Sequence, residues 1–192
     1  MKNAPTIINP TNPAIVDRVL IDFNTKMLNK LDWLTGAYGK AQVLTRKDDK
    51  KKIIKYPAIY TGTGKEYASM LPNESYGNFS FWDMQKAYDI DWIGNQMQVI
   101  EAEFGLIVWF NINKVLEADQ KRSLESIKEE MMDVFVKTRV LNARIKLTGI
   151  TEKNEEIYKG YSIKEHDQQY LMHPFGALRF NGEMRIEKLC NS

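Results

Sequence analysis

Between residues 99 and 113 the chain reads VIEAEFGLIVWFNIN, and every even position in it is apolar: Ile100, Ala102, Phe104, Leu106, Val108, Phe110 and Ile112. The odd positions mix Glu101, Glu103, Gly105, Asn111 and Asn113 with Ile107 and Trp109. Alternation of period two places one side of a strand wholly in a core. At roughly 3.3 Å per residue this stretch spans about 50 Å, longer than the usual strand. It is therefore expected either to bend near Gly105 or to project as part of a long hairpin. Ile107 and Trp109 imply that its middle is covered on both faces, and a neighbouring subunit is a candidate for that second cover.

The period changes to that of a helix in two places. Asn12-Pro13 is a good helix start, with Asn12 as cap and Pro13 at the first helical position. Val16, Val19/Leu20, Phe23, Met27, Leu31 and Leu34 then keep helical spacing, which predicts a helix over 13–35 closed by Gly36. Residues 1–12 before it, broken by Pro5 and Pro10, read as an extended arm whose Ile7-Ile8 can tuck against the body or a neighbour. In the second helix Asp119 or Ser123 is the cap. Leu124, Ile127, Met131, Val134/Phe135 and Thr138 form the stripe, with Glu125, Glu129, Glu130 and Asp133 on the solvent side.

The remaining pattern is of strands. Residues 41–60 read as a hairpin with a charged tip at 46–52, in which Pro57 marks an edge strand or an interruption. Residues 61–78 are irregular. In 78–92, Trp82, Met84, Tyr88, Ile90 and Trp92 share parity, which fits an interrupted strand, with a helical turn at 83–88 as the alternative. A two-residue Gly94-Asn95 turn would set Tyr88 opposite Glu101. A three- or five-residue loop instead aligns the apolar set with the even face of 99–113 and is favoured. Residues 143–152 and 157–165 read as a second hairpin around 153–156. Residues 174–189 contain Asn181-Gly182, a hairpin signal, with a bulge that puts Gly182 in the left-handed conformation. The sum is one α+β domain over 13–192: an antiparallel sheet with long projecting hairpins and two main helices on one face.

Composition narrows the function classes. The chain has 192 residues, 43% of them hydrophobic and 27% charged, with a net charge of +2. That balance excludes a strongly basic nucleic-acid binder but leaves room for a local patch. Residues 46–55 supply one, with six cations against two anions. Lys47, Lys50, Lys51 and Lys52 lie at its centre, with no interleaved aromatic for reading bases. Its bland reading is a solvated tip; the functional one is a finger that meets phosphate or an acidic partner. The lone Cys190 can make no internal disulfide, no secretory signal is visible in the polar, proline-punctuated residues 1–13, and the longest apolar run is far too short to span a membrane. Aromatics at 11% mildly favour an assembling protein.

Catalytic parts are few. Gly62-Thr63-Gly64-Lys65 lacks the first glycine and the trailing Ser or Thr of a phosphate loop. His166 and His173, beside Glu165 and Asp167, lack metal-ligand spacing, and Cys190 lacks a base. Asp89/Asp91 and Glu101/Glu103 could hold a divalent cation, but pairing to Lys or Arg is the commoner role, and Lys86 is at hand. No catalytic, metal or cofactor residue is assigned.

The layout resembles the tail-terminator and neck proteins of tailed bacteriophages. The pieces that carry the likeness are the Asn12-Pro13 helix opening, Tyr56-Pro57-Ala58-Ile59-Tyr60, VIEAEFGLIVWFNIN leading into SLESIKEEMMDVF, and the closing PFGALRFNGEMRIEK. Length and Asn/Lys/Tyr-rich style are similar to neck ring proteins of crAss-like phages. The resemblance implies a non-enzymatic virion protein, assembled in the host cytoplasm. It would form a six- or twelve-fold homo-oligomeric ring between the portal and the other neck and tail proteins, and double-stranded DNA would pass through it. Lys47, Lys50, Lys51, Lys52, Ile107 and Trp109 are the expected subunit or channel contacts. A small ligand-binding module walled by the aromatic stretch 76–82, or an enzyme without a recognisable motif, are the alternatives.

Overall fold

A computed structural model describes residues 6–8, 12–47, 49, 51–61, 67–94, 97–115, 124–140, 142–163 and 168–189. In chain order its elements are β1 (Thr6–Ile8), α1 (Ile15–Lys30), β2 (Gly36–Lys47), β3 (Ile53–Tyr60), β4 (Tyr67–Ser69), β5 (Phe79–Asp83), β6 (Asp89–Ile93) and β7 (Met97–Asn111). There follow α2 (Ile112–Val115), α3 (Leu124–Lys137), β8 (Ala143–Thr151), α4 (Asn154–Ile157) and β9 (Phe175–Leu189). The strands join in one sheet of order β4-β3-β2-β5-β7-β9-β8, with β1 beside β2 and β6 beside β7. The class is α+β. The sheet is mixed rather than purely antiparallel, because β2 runs parallel to both β1 and β5.

The alternation in the long central stretch makes β7, and β7 does not project alone. It pairs with β9 along its whole length, from Met97↔Leu189 to Asn111↔Phe175. On its other side, residues 105–109 pair with β5 and residues 97–101 with β6. Its even side chains, Ile100 to Phe110, enter a core shared with α1, α3 and the Leu178, Phe180, Met184 and Ile186 face of β9. Burying each large apolar side chain contributes about 1.5–3 kcal/mol, so this face dominates the stability of the domain. Polar anchors fix the helices. Asn24 on α1 accepts from Trp82 Nε1 at 2.9 Å and donates to the Tyr38 carbonyl at 3.1 Å. On α3, Lys128 reaches Glu125 at 2.6 Å and Glu152 at 2.5 Å, and those hydrogen bonds hold it charged.

The opposite face of the sheet is also covered. Met70 and Leu71, after β4, and Ile157, Tyr158, Tyr161 and Ile163, after β8, pack with Phe79, Phe81, Ile107 and Trp109 into a second core. The residues expected to pair as a strand over 157–165 thus form α4 and a turn instead. Ile157, Tyr158 and Tyr161 read as strand residues because they are aromatic or β-branched. They are in fact inward-facing contacts of the segments after β4 and β8, which form a lid over this face of the sheet.

Three more expectations change. Helix α1 begins at Ile15 with Ala14 as cap, whose N–H donates to Asp17 Oδ2 at 2.9 Å. It ends at Lys30, and Gly36 opens β2. The Asn181-Gly182 signal does not make a turn: β9 runs straight through it. Gly182 lies between Phe104 of β7 and Leu147 of β8 and has no left-handed backbone. Glycine is needed there because a methyl group would fall well inside contact distance of the Lys146 carbonyl and the Phe104 ring. By contrast, the favoured long loop before β7 holds, since Ile93↔Met97 leaves three residues between the strands and sets Ile90 opposite Ile100. Of the expected arm, Thr6–Ile8 pairs with Gly36–Tyr38. The proposed caps Asp119 and Ser123 lie outside the described residues. Replacing Gly182 with Ala is expected to destabilise the domain by about 3 kcal/mol, read as a lowered denaturant midpoint with unchanged slope.

Candidate interaction surfaces

The basic hairpin is a ribbon whose root and tip have different surroundings. Its root, residues 36–41 of β2, is held by β5. Beyond Ala41 strand β2 pairs with β3 alone, out to Lys47↔Ile53. Arg46, Lys47, Lys51, Lys52 and Lys55 are all exposed there, and Lys51 has a left-handed backbone at φ 61°. Lys50 lies outside the described residues. Strand alternation puts Val43, Lys47, Ile53 and Lys55 on one face of the ribbon, where Val43 and Ile53 are 40% and 61% exposed. Arg46 lies on the other face, over the Tyr56 ring at 5.5 Å. The ribbon is tied down by reciprocal hydrogen bonds between Lys55 and Ser162, at 3.0 and 2.8 Å.

Ile107 and Trp109 are not surface residues. They are 0% and 1% exposed, and the cover that the sequence leaves open comes from the chain itself. The Trp109 ring stacks on Phe175 at 5.1 Å, lies 5.5 Å from Phe79, and donates Nε1 to the Tyr170 carbonyl at 2.9 Å. The expectation that a neighbouring subunit meets these two side chains is corrected: they bind the second core to the sheet. The aromatic stretch 76–82 is similarly committed. Phe79, Phe81 and Trp82 are fully buried, and Tyr76 packs edge-on against Tyr38 and Phe79.

An apolar surface does exist, on β6. All five residues of DIDWI are exposed, with Ile90, Trp92 and Ile93 at 58%, 54% and 48%. Among the described residues the only strand partner of β6 is β7. Its outer edge is left open because the register against β7 changes by two residues between β5 and β6, and β2 departs toward β3 at that break. Residues 84–88 fill the fork, where Lys40 Nζ bonds Tyr88 Oη at 2.6 Å. Ile90 and Trp92 share the even face of β6, and Asp89 and Asp91 the other. Of the two carboxylate pairs weighed from sequence, Glu101 meets Arg185 at 3.2 Å and Glu103 meets Lys86 at 2.5 Å. Among the described residues no cluster could hold a metal ion; His166 and Cys190 lie outside them.

A buried charge network joins β5, β9 and the segment after α4. Arg179 reaches Asp83 at 2.5 Å, and Tyr161 and Gln85 each donate to the same carboxylate at 2.8 Å. Arg179 Nε also donates to Asn181 Oδ1, whose amide bonds Thr151. The guanidinium lies across Gly105, where any side chain would displace it. A groove of about 970 Å³ opens beside it, bordered by Glu155, Glu156 and Glu183 as well as Lys86 and Lys159. With Asp83 bonded to Arg179, Tyr161 and Gln85, this arrangement acts as a cross-link between strands and lid. The signal for it in the sequence is faint: an Asp and an Arg inside otherwise apolar strands.

Comparison with protein-family models and with curated proteins gives no match. No helix among the described residues is long and apolar enough to cross a membrane.

Two predictions come from the buried polar groups. Removing Arg179 by substitution with Met leaves Asp83 buried without its counter-charge and is expected to cost about 3–5 kcal/mol; adding Asp83→Asn should recover part of that loss. Burial raises the pKa of Tyr158, and burial together with the Asp83 charge raises that of Tyr161. The folded state thus keeps protons that the unfolded chain releases near pH 10, so stability is complete below that pH and falls above it. Among the described residues the Tyr158 hydroxyl has no hydrogen-bond partner. Tyr158→Phe is therefore expected to add about 1 kcal/mol at neutral pH and to shrink the alkaline loss, as read by melting curves from pH 8 to 11.

Proposed function

We propose that the protein is a non-enzymatic structural component of a phage head–tail connector. It would be a neck or tail-terminator-type ring subunit that joins portal to tail and continues the DNA channel. The observation that carries the reading is where the chain leaves its apolar side chains. The sheet is filled on both faces by the chain's own residues. Even so, six of the ten large apolar side chains exposed among the described residues sit on the hairpin and on β6. Two separate surfaces of this kind suit a subunit that meets unlike neighbours on two sides, which is how identical subunits close a ring. The long helix-backed sheet with a projecting ribbon fits the tail-terminator layout that the sequence resembles. A near-neutral chain with one basic finger also suits a channel that conducts DNA without reading it.

Native mass spectrometry and negative-stain imaging at high protein concentration are expected to give closed six- or twelve-fold rings, alone or on a portal template. Portal, terminase or tail genes should flank the coding gene, and metabolic neighbours would overturn the assignment. Replacing Lys47, Lys50, Lys51 and Lys52 with Ser is expected to leave the melting temperature unchanged and to impair particle assembly or DNA retention. Normal particles from that variant would remove the tip from the mechanism.

A further inference from the structure

We infer that the open edge of β6 is the docking strand for the basic hairpin of a second copy of this chain, an inference that rests on the ring reading above. An edge strand with free backbone groups and large exposed apolar side chains is a template for adding another strand, and proteins that stay monomeric blunt such edges. This edge carries no Pro, Lys or bulge; its charges are Asp89 and Asp91, the latter accepting the Trp92 N–H at 2.7 Å, and it presents Ile90, Trp92 and Ile93, each about half exposed.

Charge selects the occupant. Asp89 and Asp91 line one side of the edge, beside Glu101 on β7. The described hairpin carries Arg46, Lys47, Lys51, Lys52 and Lys55 next to exposed Val43 and Ile53. Each surface thus couples apolar area to a net charge, positive on the hairpin despite Asp49 and negative on β6 through Asp89 and Asp91, Glu101 being paired to Arg185, and the net signs are opposite. Burying the apolar parts together supplies affinity, while the charges steer the approach and disfavour hairpin-to-hairpin or edge-to-edge pairing. The outer half of β2, residues 42–47, has β3 on one side and, among the described residues, no strand on the other, so it can extend the sheet past β6. Within one chain the two ribbons diverge at the fork filled by residues 84–88. Because the surfaces are different patches of one molecule, the contact is head-to-tail and repeats from copy to copy.

The chain carries its own reporter. Of the four tryptophans, Trp33, Trp82 and Trp109 are at most 4% exposed and Trp92 is 54% exposed. Docking should shift the emission to shorter wavelength and protect the fluorescence from acrylamide as concentration rises. Two full-length variants test the contact, each first checked for an unchanged melting temperature. One is D89K/D91K on the edge; the other is K47E/K51E/K52E on the hairpin. Each alone is expected to weaken self-association at least about tenfold, read by sedimentation velocity. A mixture of the two is the decisive arm. Each partner keeps one working surface and the wrong charge on the other, and the reversed surfaces are now complementary to one another. Mixed chains should therefore associate, whereas neither variant alone does, and combining all five changes in one chain should restore assembly.

If both variants assemble as the unaltered chain does, the ring reading stands and this docking is refuted. If the hairpin variant loses only retention on short double-stranded DNA, with association and Trp92 quenching unchanged, the finger serves DNA and the docking is again refuted. An unaltered chain that shows no Trp92 protection even in rings formed on a portal places the subunit contact elsewhere and overturns it.

Discussion

A strand buried on both faces has no tolerance for a register error, because slipping by one residue carries every side chain to the opposite face. That constraint governs β7 from Gly105 to Asn111, where both faces are buried. Its even face must meet α1 and α3, and its odd face must meet the lid formed by the residues after β4 and β8. Fifteen matched residues on β9 fix it in place. Trp82 of β5 can then reach Asn24, and Trp109 can reach the Tyr170 carbonyl, only in the register observed. The helices are positioned by the sheet, and the sheet is positioned by this one pair of strands.

The length of β7 also sets where the protein meets the outside. Two short strands share one flank of it, and the two-residue shift between them ends the central sheet at Asp83. From that break the chain forks into one ribbon rich in lysine and another bearing aspartate and tryptophan. The exposed surfaces are therefore a by-product of how the core strand is partnered, and not appendages added to a finished domain.

Periodicity made the core face legible, since seven even apolar positions in a row admit few other readings. It also made α1, α3 and the three-residue loop before β7 legible, the last through register alone. Local rules misled where long-range contacts outweighed them. Asn181-Gly182 has the sequence of a hairpin turn, yet its glycine answers to Phe104, a residue 78 positions earlier. Ile157, Tyr158 and Tyr161 have strand propensity and serve as a lid. Trp109 was readable as needing a cover but not as supplied with one, because Tyr170 and Phe175 reach it only once the chain has returned through β8. Of the expected contact residues, the lysines at 47, 51 and 52 are on the surface, whereas Ile107 and Trp109 are buried and the exposed apolar side chains nearest to β7 are those of β6.

Gly105 has an evolutionary consequence. The Arg179 guanidinium occupies the space that a side chain at 105 would fill, and Asp83 is buried against that guanidinium. A change at any one of these three positions strands the other two: a larger residue at 105 evicts the cation, and losing the cation isolates the anion. The three positions can therefore drift only as a set, through an intermediate that is worse than either end. Distant descendants of this chain should carry either the full Gly–Asp–Arg combination or an apolar replacement of all three, and mixed combinations should be rare. Such joint inheritance would mark kinship where overall sequence similarity has faded.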